Sequence, residues 1–271
     1  MKAKPKGSAL YVYGIGRQDH LRKIFDGHDM PQGVEADSAV ALVTEGPLAA
    51  VVSEVPLSEF GEGRFEEHLK DAAWAAERVM RHEKVAEFLA GKSPVVPLRF
   101  GVMYSTPERI REMLTGRQQR LSKILDQLKD REEWGLNICL DRRKFHDRMA
   151  DLSPKLAEML KKARSSSPGQ AYLLEKKVES LRAAEGKSET KRAIDNIRSE
   201  LKPESYGLKD LPLREIDTRQ DPAIVGKLSF LINRKGLKKF RRAAEVLARK
   251  YAGFGFSLEL TGPWPPYNFS E

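Results

Sequence analysis

Ala39-Val40-Ala41-Leu42-Val43-Thr44-Glu45-Gly46-Pro47-Leu48-Ala49-Ala50-Val51-Val52-Ser53-Glu54-Val55 holds two apolar, β-branched runs on either side of Thr44-Glu45-Gly46-Pro47. Glycine and proline between such runs are turn chemistry, so the stretch reads as an antiparallel hairpin pairing 39–43 with 49–55. Before it, residues 9–15 contain Leu10-Tyr11-Val12-Tyr13 and read as a strand. After it, Phe65, Leu69, Ala72, Ala76, Val79 and Met80 recur at three and four residues, the period of one helix running to about Gly91. Residues 94–103 read as a further strand. Ser105-Thr106-Pro107-Glu108 offers a hydroxyl cap, a first-turn proline and an early acid, so a helix starts there and buries Ile110, Leu114, Leu121, Ile124, Leu125 and Leu128. A strand over 134–140 closes the order strand, hairpin, helix, strand, helix, strand. That mixture belongs to split β-α-β arrangements of the ferredoxin-like kind.

From Arg142 to about Lys202 the chain becomes charge-rich and poor in strand formers. Leu152, Leu156, Met159, Leu160 and Ala163 mark one helix. Ser165-Ser166-Ser167-Pro168-Gly169 breaks it, and Leu174, Val178 and Leu181 open another that reaches Ile194, Ile197 and Leu201, with a local break expected at Gly186. We expect a charged helical hairpin, either a solvated spacer or a docking arm. Residues 211–216 and 224–232 then read as strands, Leu237, Phe240, Ala244, Leu247 and Tyr251 as a helix face, and Phe256, Leu258 and Leu260 as the inward side of a last strand. The expected class is α+β: a modified ferredoxin-like domain over 1–141, the helical insert over 142–204, and a second helix-covered antiparallel sheet over 205–271.

Composition limits function. With 271 residues, 40% hydrophobic and 32% charged, the chain has material for two packed cores. Its apolar runs fall far short of the ~20 residues of a membrane span, and the basic start Lys2, Lys4, Lys6 lacks the apolar core of a signal peptide. A cytoplasmic protein is expected. The net charge of +9 favours acidic partners without choosing among them. The single cysteine, Cys139, excludes an internal disulfide and reads as a buried small hydrophobe.

Catalytic motifs are missing from the pattern. His20, His28, His68, His82 and His146 form no ligand cluster, and His68 and His82 stand about four helical turns apart, roughly 21 Å. Gly14-Ile15-Gly16 opens like a dinucleotide loop, but Asp19 stands where the third glycine belongs. No cofactor, metal or enzymatic chemistry is expected. The alternative is a basic RNA-binding module. Gly253-Phe254-Gly255-Phe256 matches the heart of an RNA-stacking strand, and Lys235, Lys238, Lys239, Arg241, Arg242, Arg249 and Lys250 crowd the preceding helix. Against it, Ala252, Ser257 and Glu259 depart from that pattern, so nucleic acid is not the expected partner.

Near the end of the sequence stands Leu260-Thr261-Gly262-Pro263-Trp264-Pro265-Pro266-Tyr267-Asn268-Phe269, with three prolines and three aromatics directly after a strand. This tail resembles the terminal signature of the GvpL/GvpF family of gas vesicle proteins. Tyr11-Val12-Tyr13-Gly14-Ile15, His82-Glu83 and Pro94-Val95-Val96-Pro97-Leu98-Arg99-Phe100-Gly101 fit the same family in the same order, as does Ser167-Pro168-Gly169 before Tyr172-Leu173. The resemblance implies two ferredoxin-like parts with helical additions and a non-enzymatic structural or accessory role in gas vesicle assembly. It also implies contact with the small hydrophobic shell protein GvpA and other accessory Gvp proteins, and residence in the cytoplasm or on the vesicle. Arg99, Phe100, Gly262, Pro263, Trp264, Pro265, Pro266 and Tyr267 are the candidate motif or partner-contact residues. Trp264 and Tyr267 are expected to fill core, in a tail that three prolines keep from extending a central strand.

Overall fold

The computed structural model describes residues 7–270, so the basic residues Lys2, Lys4 and Lys6 lie outside the described region. The chain divides into two compact units: one comprises Met1–Glu132 together with Trp264–Glu271, the other Glu133–Pro263. These limits differ from the expected boundaries after residues 141 and 204.

The first unit opens with β1 (Ser8–Arg17), α1 (Gln18–Gly27), β2 (Ala41–Glu45) and β3 (Leu48–Pro56). Short helices α2 (Leu57–Phe60) and α3 (Arg64–His68) precede α4 (Ala72–Lys92). Strands β4 (Val95–Pro97) and β5 (Met103–Tyr104) and helices α5 (Pro107–Gly116) and α6 (Gln118–Leu128) follow. The sheet order is β2-β3-β1-β4, with β5 also on β1, and every pairing is antiparallel. With α1 and α4 as crossovers this is a β-α-β-β-α-β unit. The expected hairpin is β2–β3, with Glu45 opposite Leu48 across Gly46-Pro47.

Local chemistry explains where the elements break. The single helix expected over 65–91 is two helices, because the Asp71 carboxylate accepts from the N–H groups of Ala73 and Trp74 and starts α4 there. Thr106 caps α5 ahead of Pro107 as expected. The strand expected over 94–103 is interrupted. Pro97 has no N–H to continue a ladder, and Gly101 takes a left-handed φ of +91°, so residues 98–102 bow out and return as β5.

A β-bulge in β1 between Val12 and Gly14 shifts the register against β3. It inserts one residue and so inverts the alternation beyond it. Tyr11 and Tyr13, two positions apart, share the face that packs under α1 and α4 with Val51, Phe60, Val85 and Leu89. Ile15, two positions on, lines a cavity with residues of α6 instead.

The second unit contains β6 (Arg131–Leu140), α7 (Arg142–Leu152), α8 (Pro154–Arg164), α9 (Pro168–Leu201), β7 (Gly207–Asp210), α10 (Glu215–Arg219), β8 (Ala223–Asn233), α11 (Leu237–Ala252) and β9 (Phe256–Trp264). Its sheet order, β7-β8-β6-β9, repeats that of the first sheet. The strand expected to close the N-terminal domain is thus a central strand here, which moves the boundary to before residue 133.

The segment expected as a separate hairpin is the crossover between β6 and β7. It has three helices, because Ser153 caps α8 and Pro154 fills its first turn. Phe145, Met149, Leu156, Val178, Ala193, Ile197 and Leu201 bury into one core with Trp134, Leu136, Ile138, Phe230 and Phe240. Gly186 does not break α9. It lies opposite Met149, whose methyl carbon would sit 3.0 Å from an added Cβ, so its smallness permits a close helix approach. The strand expected over 211–216 is also corrected. Asp217 accepts from the Arg214 N–H at 2.8 Å, pairs with Lys227 at 3.2 Å and organises α10, while the strand occupies β7.

Candidate functional site

Four sequence-distant segments meet in the first unit: Tyr11 and Tyr13 on β1, His82 and Glu83 on α4, Phe100 and Gly101 in the bowed loop, and Tyr267 in the tail. The His82 side chain is fully buried at their centre. Its ring stacks on Tyr13 at 5.7 Å and meets Tyr11 and Phe100 edge-on at 5.6 and 5.8 Å. Such pairings supply directional packing beyond simple burial.

The polar atoms form an ordered chain. The Gly101 N–H donates to the Tyr11 hydroxyl oxygen at 3.0 Å, which leaves that O–H to donate to His82 Nδ1 at 2.9 Å. The opposite nitrogen, Nε2, then carries the proton and donates to the Tyr267 hydroxyl at 3.0 Å. Tyr267 donates onward to the Glu83 carboxylate at 3.1 and 3.2 Å. Tyr13 accepts from the Val34 N–H at 2.6 Å and shares a 2.7 Å hydrogen bond with Ser53. Each buried polar group is satisfied only when the imidazole is neutral.

Electrostatics agree. Burial pulls the His82 pKa down to about 4, with a backbone hydrogen bond at Leu98 opposing the shift in part. Burial raises the Tyr11 and Tyr267 hydroxyls. It also raises Glu83, an effect that Tyr267's hydrogen bond counters and Glu87's charge reinforces. Beside this centre, Phe60 stacks on Phe65, Trp74 lies tilted against Phe60 and edge-on to Phe65, and Arg78 lies 4.2 Å over Trp74 while bonding Glu35 at 2.8 Å and Glu59 at 2.9 Å. The arrangement fastens a tail and a loop to a strand and a helix. Among the described residues no group of His, Cys, Asp and Glu is placed to hold a metal ion.

The candidate residues divide. Tyr267 is half-buried and bonded within this centre, and Phe100 packs on its rings, while Arg99 is exposed. Pro265 and Pro266 are buried. The expectation that Trp264 fills core is overturned: it stands 47% exposed at the end of β9, and the anchoring falls to Tyr267. Gly262 and Pro263 lie in the second unit, on edge strand β9, the position in a sheet that tolerates a missing donor. Gly262 adopts φ +132°, and an added Cβ would lie 3.0 Å from the Glu133 carbonyl oxygen and 3.2 Å from the Trp134 ring. Tyr11, Tyr13, His82 and Glu83 belong to the quoted motifs but were not singled out as site residues. Their presence in short aromatic or polar motifs was the only available signal.

The RNA-stacking alternative loses its platform. Phe256 is 2% exposed and packs against Phe145 at 5.5 Å and Tyr251 at 5.8 Å, while Phe254 packs on the same core. Several basic residues beside it are engaged: Arg241 over Trp134, Lys239 with Glu204, and Lys250 with Asn196. Cys139 is buried, as expected, and burial raises its thiol pKa.

Two helix-covered antiparallel sheets and a returning C-terminal tail define an α+β protein of two similar units. The family described as gas vesicle synthesis protein GvpL/GvpF matches residues 9–271, and the chain belongs to that family. It is 26% identical to gas vesicle protein F of Streptomyces sp., over 97% of this chain and 100% of that protein. It is 24% identical to gas vesicle protein L of the same organism, over 96% and 92%. The crystal structure of GvpF from Anabaena sp. PCC7120 superposes with a TM-score of 0.66 at 20% identity, covering 98% of this chain and 97% of that one. GvpF from Microcystis aeruginosa gives 0.61 at 18%, covering 97% and 99%.

Proposed function

We propose that this protein is a non-enzymatic structural or accessory component of gas vesicle assembly, acting in the cytoplasm or on the vesicle, and that it binds the small hydrophobic shell protein GvpA and other accessory Gvp proteins. The observation that carries the reading is the family match across residues 9–271. The polar groups at the centre of the first unit are consumed in mutual hydrogen bonds around a fully buried histidine, an arrangement suited to holding shape. Among the described residues no helix is long and apolar enough to cross a membrane. A shell subunit with a large apolar face needs a partner that covers it before incorporation, and amphipathic helices and sheet edges can do so.

The test is a pull-down of purified GvpA with the full-length protein, together with fractionation of intact vesicles. Saturable GvpA capture supports the reading, and the vesicle fraction separates a wall component from a transient factor. Failure to capture GvpA, with no effect of gene deletion on vesicle formation, overturns it.

A further inference from the structure

Between β1, β4 and α6 lies a cavity of about 230 Å³ with a mainly apolar lining, Ile15, Val96, Ile124 and Tyr104 among its residues. Arg117 and Arg120 stand at its rim and continue into a wider groove along the α5–α6 junction, where Lys123 joins them. All three cations are exposed, and among the described residues no carboxylate pairs with any of them. The neighbouring acid on α6, Asp126, is already held by Arg17 at 2.9 Å. Gln118, Gln119 and Gln127 line the same groove, each with an amide that can both donate and accept.

We propose that this cavity and the basic groove beside it are a docking site for an acidic peptide segment of a partner protein. One aliphatic side chain enters the cavity, and flanking carboxylates meet Arg117, Arg120 and Lys123. Size argues for a side chain. The cavity is smaller than the ~300–1,000 Å³ of pockets that enclose whole drug-sized ligands, so it accepts a projection from a larger chain. The groove beside it then supplies what an extended backbone needs: amide partners along its length and positive charge for its acids. A nucleic acid is the poorer match, because single strands are held by successive aromatic stacking platforms and a single aromatic, Tyr104, lines this cavity. The inference stands on the local geometry and charge, so it holds or fails independently of GvpA binding.

Fluorescence anisotropy tests it on the full chain, with a short fluorescein-labelled peptide carrying one leucine between glutamates. Saturable binding that weakens as salt rises is expected. The double variant R117E/R120E, which changes exposed side chains only, should weaken binding by about tenfold or more. R120E/K123E should act in the same direction, with circular dichroism confirming the fold of both. Replacing the leucine by serine should cause a comparable loss. Absence of binding, equal binding by a peptide with lysine in place of glutamate, or indifference to either double variant would overturn the proposal. So would indifference to the serine replacement, or tighter binding of decanoate or oligothymidylate that depends on the same residues.

Discussion

His82 on α4 donates through Nε2 to the hydroxyl of Tyr267, 3.0 Å away and 185 residues further along the chain. This contact fastens the C-terminal tail to the first unit, whose sequence otherwise ends before residue 133.

Tyr267→Phe removes that acceptor and the donor to Glu83, leaving the part-buried Glu83 carboxylate without its tyrosine donor and the buried imidazole with only the backbone at Leu98 to receive its proton. An unsatisfied buried group costs about 1–3 kcal/mol, so the variant should be less stable by that amount in a denaturant titration. Trp264→Ala should fall well below the ~3–5 kcal/mol of a fully buried large aromatic, because its side chain is already half exposed. An equal or larger loss at Trp264 would contradict this assignment of the anchor.

Acid should loosen the same centre. The folded-state pKa of His82 is depressed from 6.5 to about 4, so its contribution is fully present above pH 6.5. It is lost as the unfolded chain takes up a proton that the folded protein refuses, down to about pH 4. The window is worth on the order of 3 kcal/mol at 1.36 kcal/mol per pH unit. Glu83, raised by burial, acts in the opposite sense, since its protonation relieves a cost in the folded state. His82→Gln should flatten the fall in urea midpoint across that window. A profile identical to that of the unsubstituted protein would remove His82 as its source.

Gly101→Ala should be destabilising by about 1–3 kcal/mol, the cost of holding a side chain in a sparsely populated backbone conformation. Gly101 has φ +91°, and its added Cβ would come within 2.9 Å of the Phe65 ring. Its N–H also holds the Tyr11 hydroxyl, so the Tyr11 side-chain resonances should shift in NMR spectra. Unchanged stability and spectra would show that the loop does not rely on this conformation.

Limited chymotrypsin digestion should cut first at Tyr172 or Leu173, in the first turns of α9, where they are 59% and 67% exposed. The preceding turn, Ser165-Ser166-Ser167, carries no buried core residue to restrain local opening. First cleavage between residues 94 and 140 would contradict this order of local stability.

Much of the architecture was legible because it is written at short range. The hairpin around Gly46-Pro47, the Thr106 cap before Pro107, and the alternation of Phe256, Leu258 and Leu260 each depend on neighbours a few residues away. Periodicity, turn chemistry and capping report such neighbours directly. Helix α1, absent from the sequence reading, carries its apolar face in Leu21, Ile24 and Phe25 alone, a pattern too short to stand out.

What the sequence by itself determined is therefore the class of fold, the helix-rich character of residues 142–201, the burial of Cys139, and the motifs that mark the family. Tertiary structure decided which sheet received the strand around Trp134, and that Tyr267 rather than Trp264 anchors the tail. It also decided that Tyr11, His82, Phe100 and Tyr267 share one site. The physical reason is range. A strand's partner and a buried histidine's hydrogen bonds are chosen by competition among distant segments for the same apolar shelter and the same few donors. No local period records that competition.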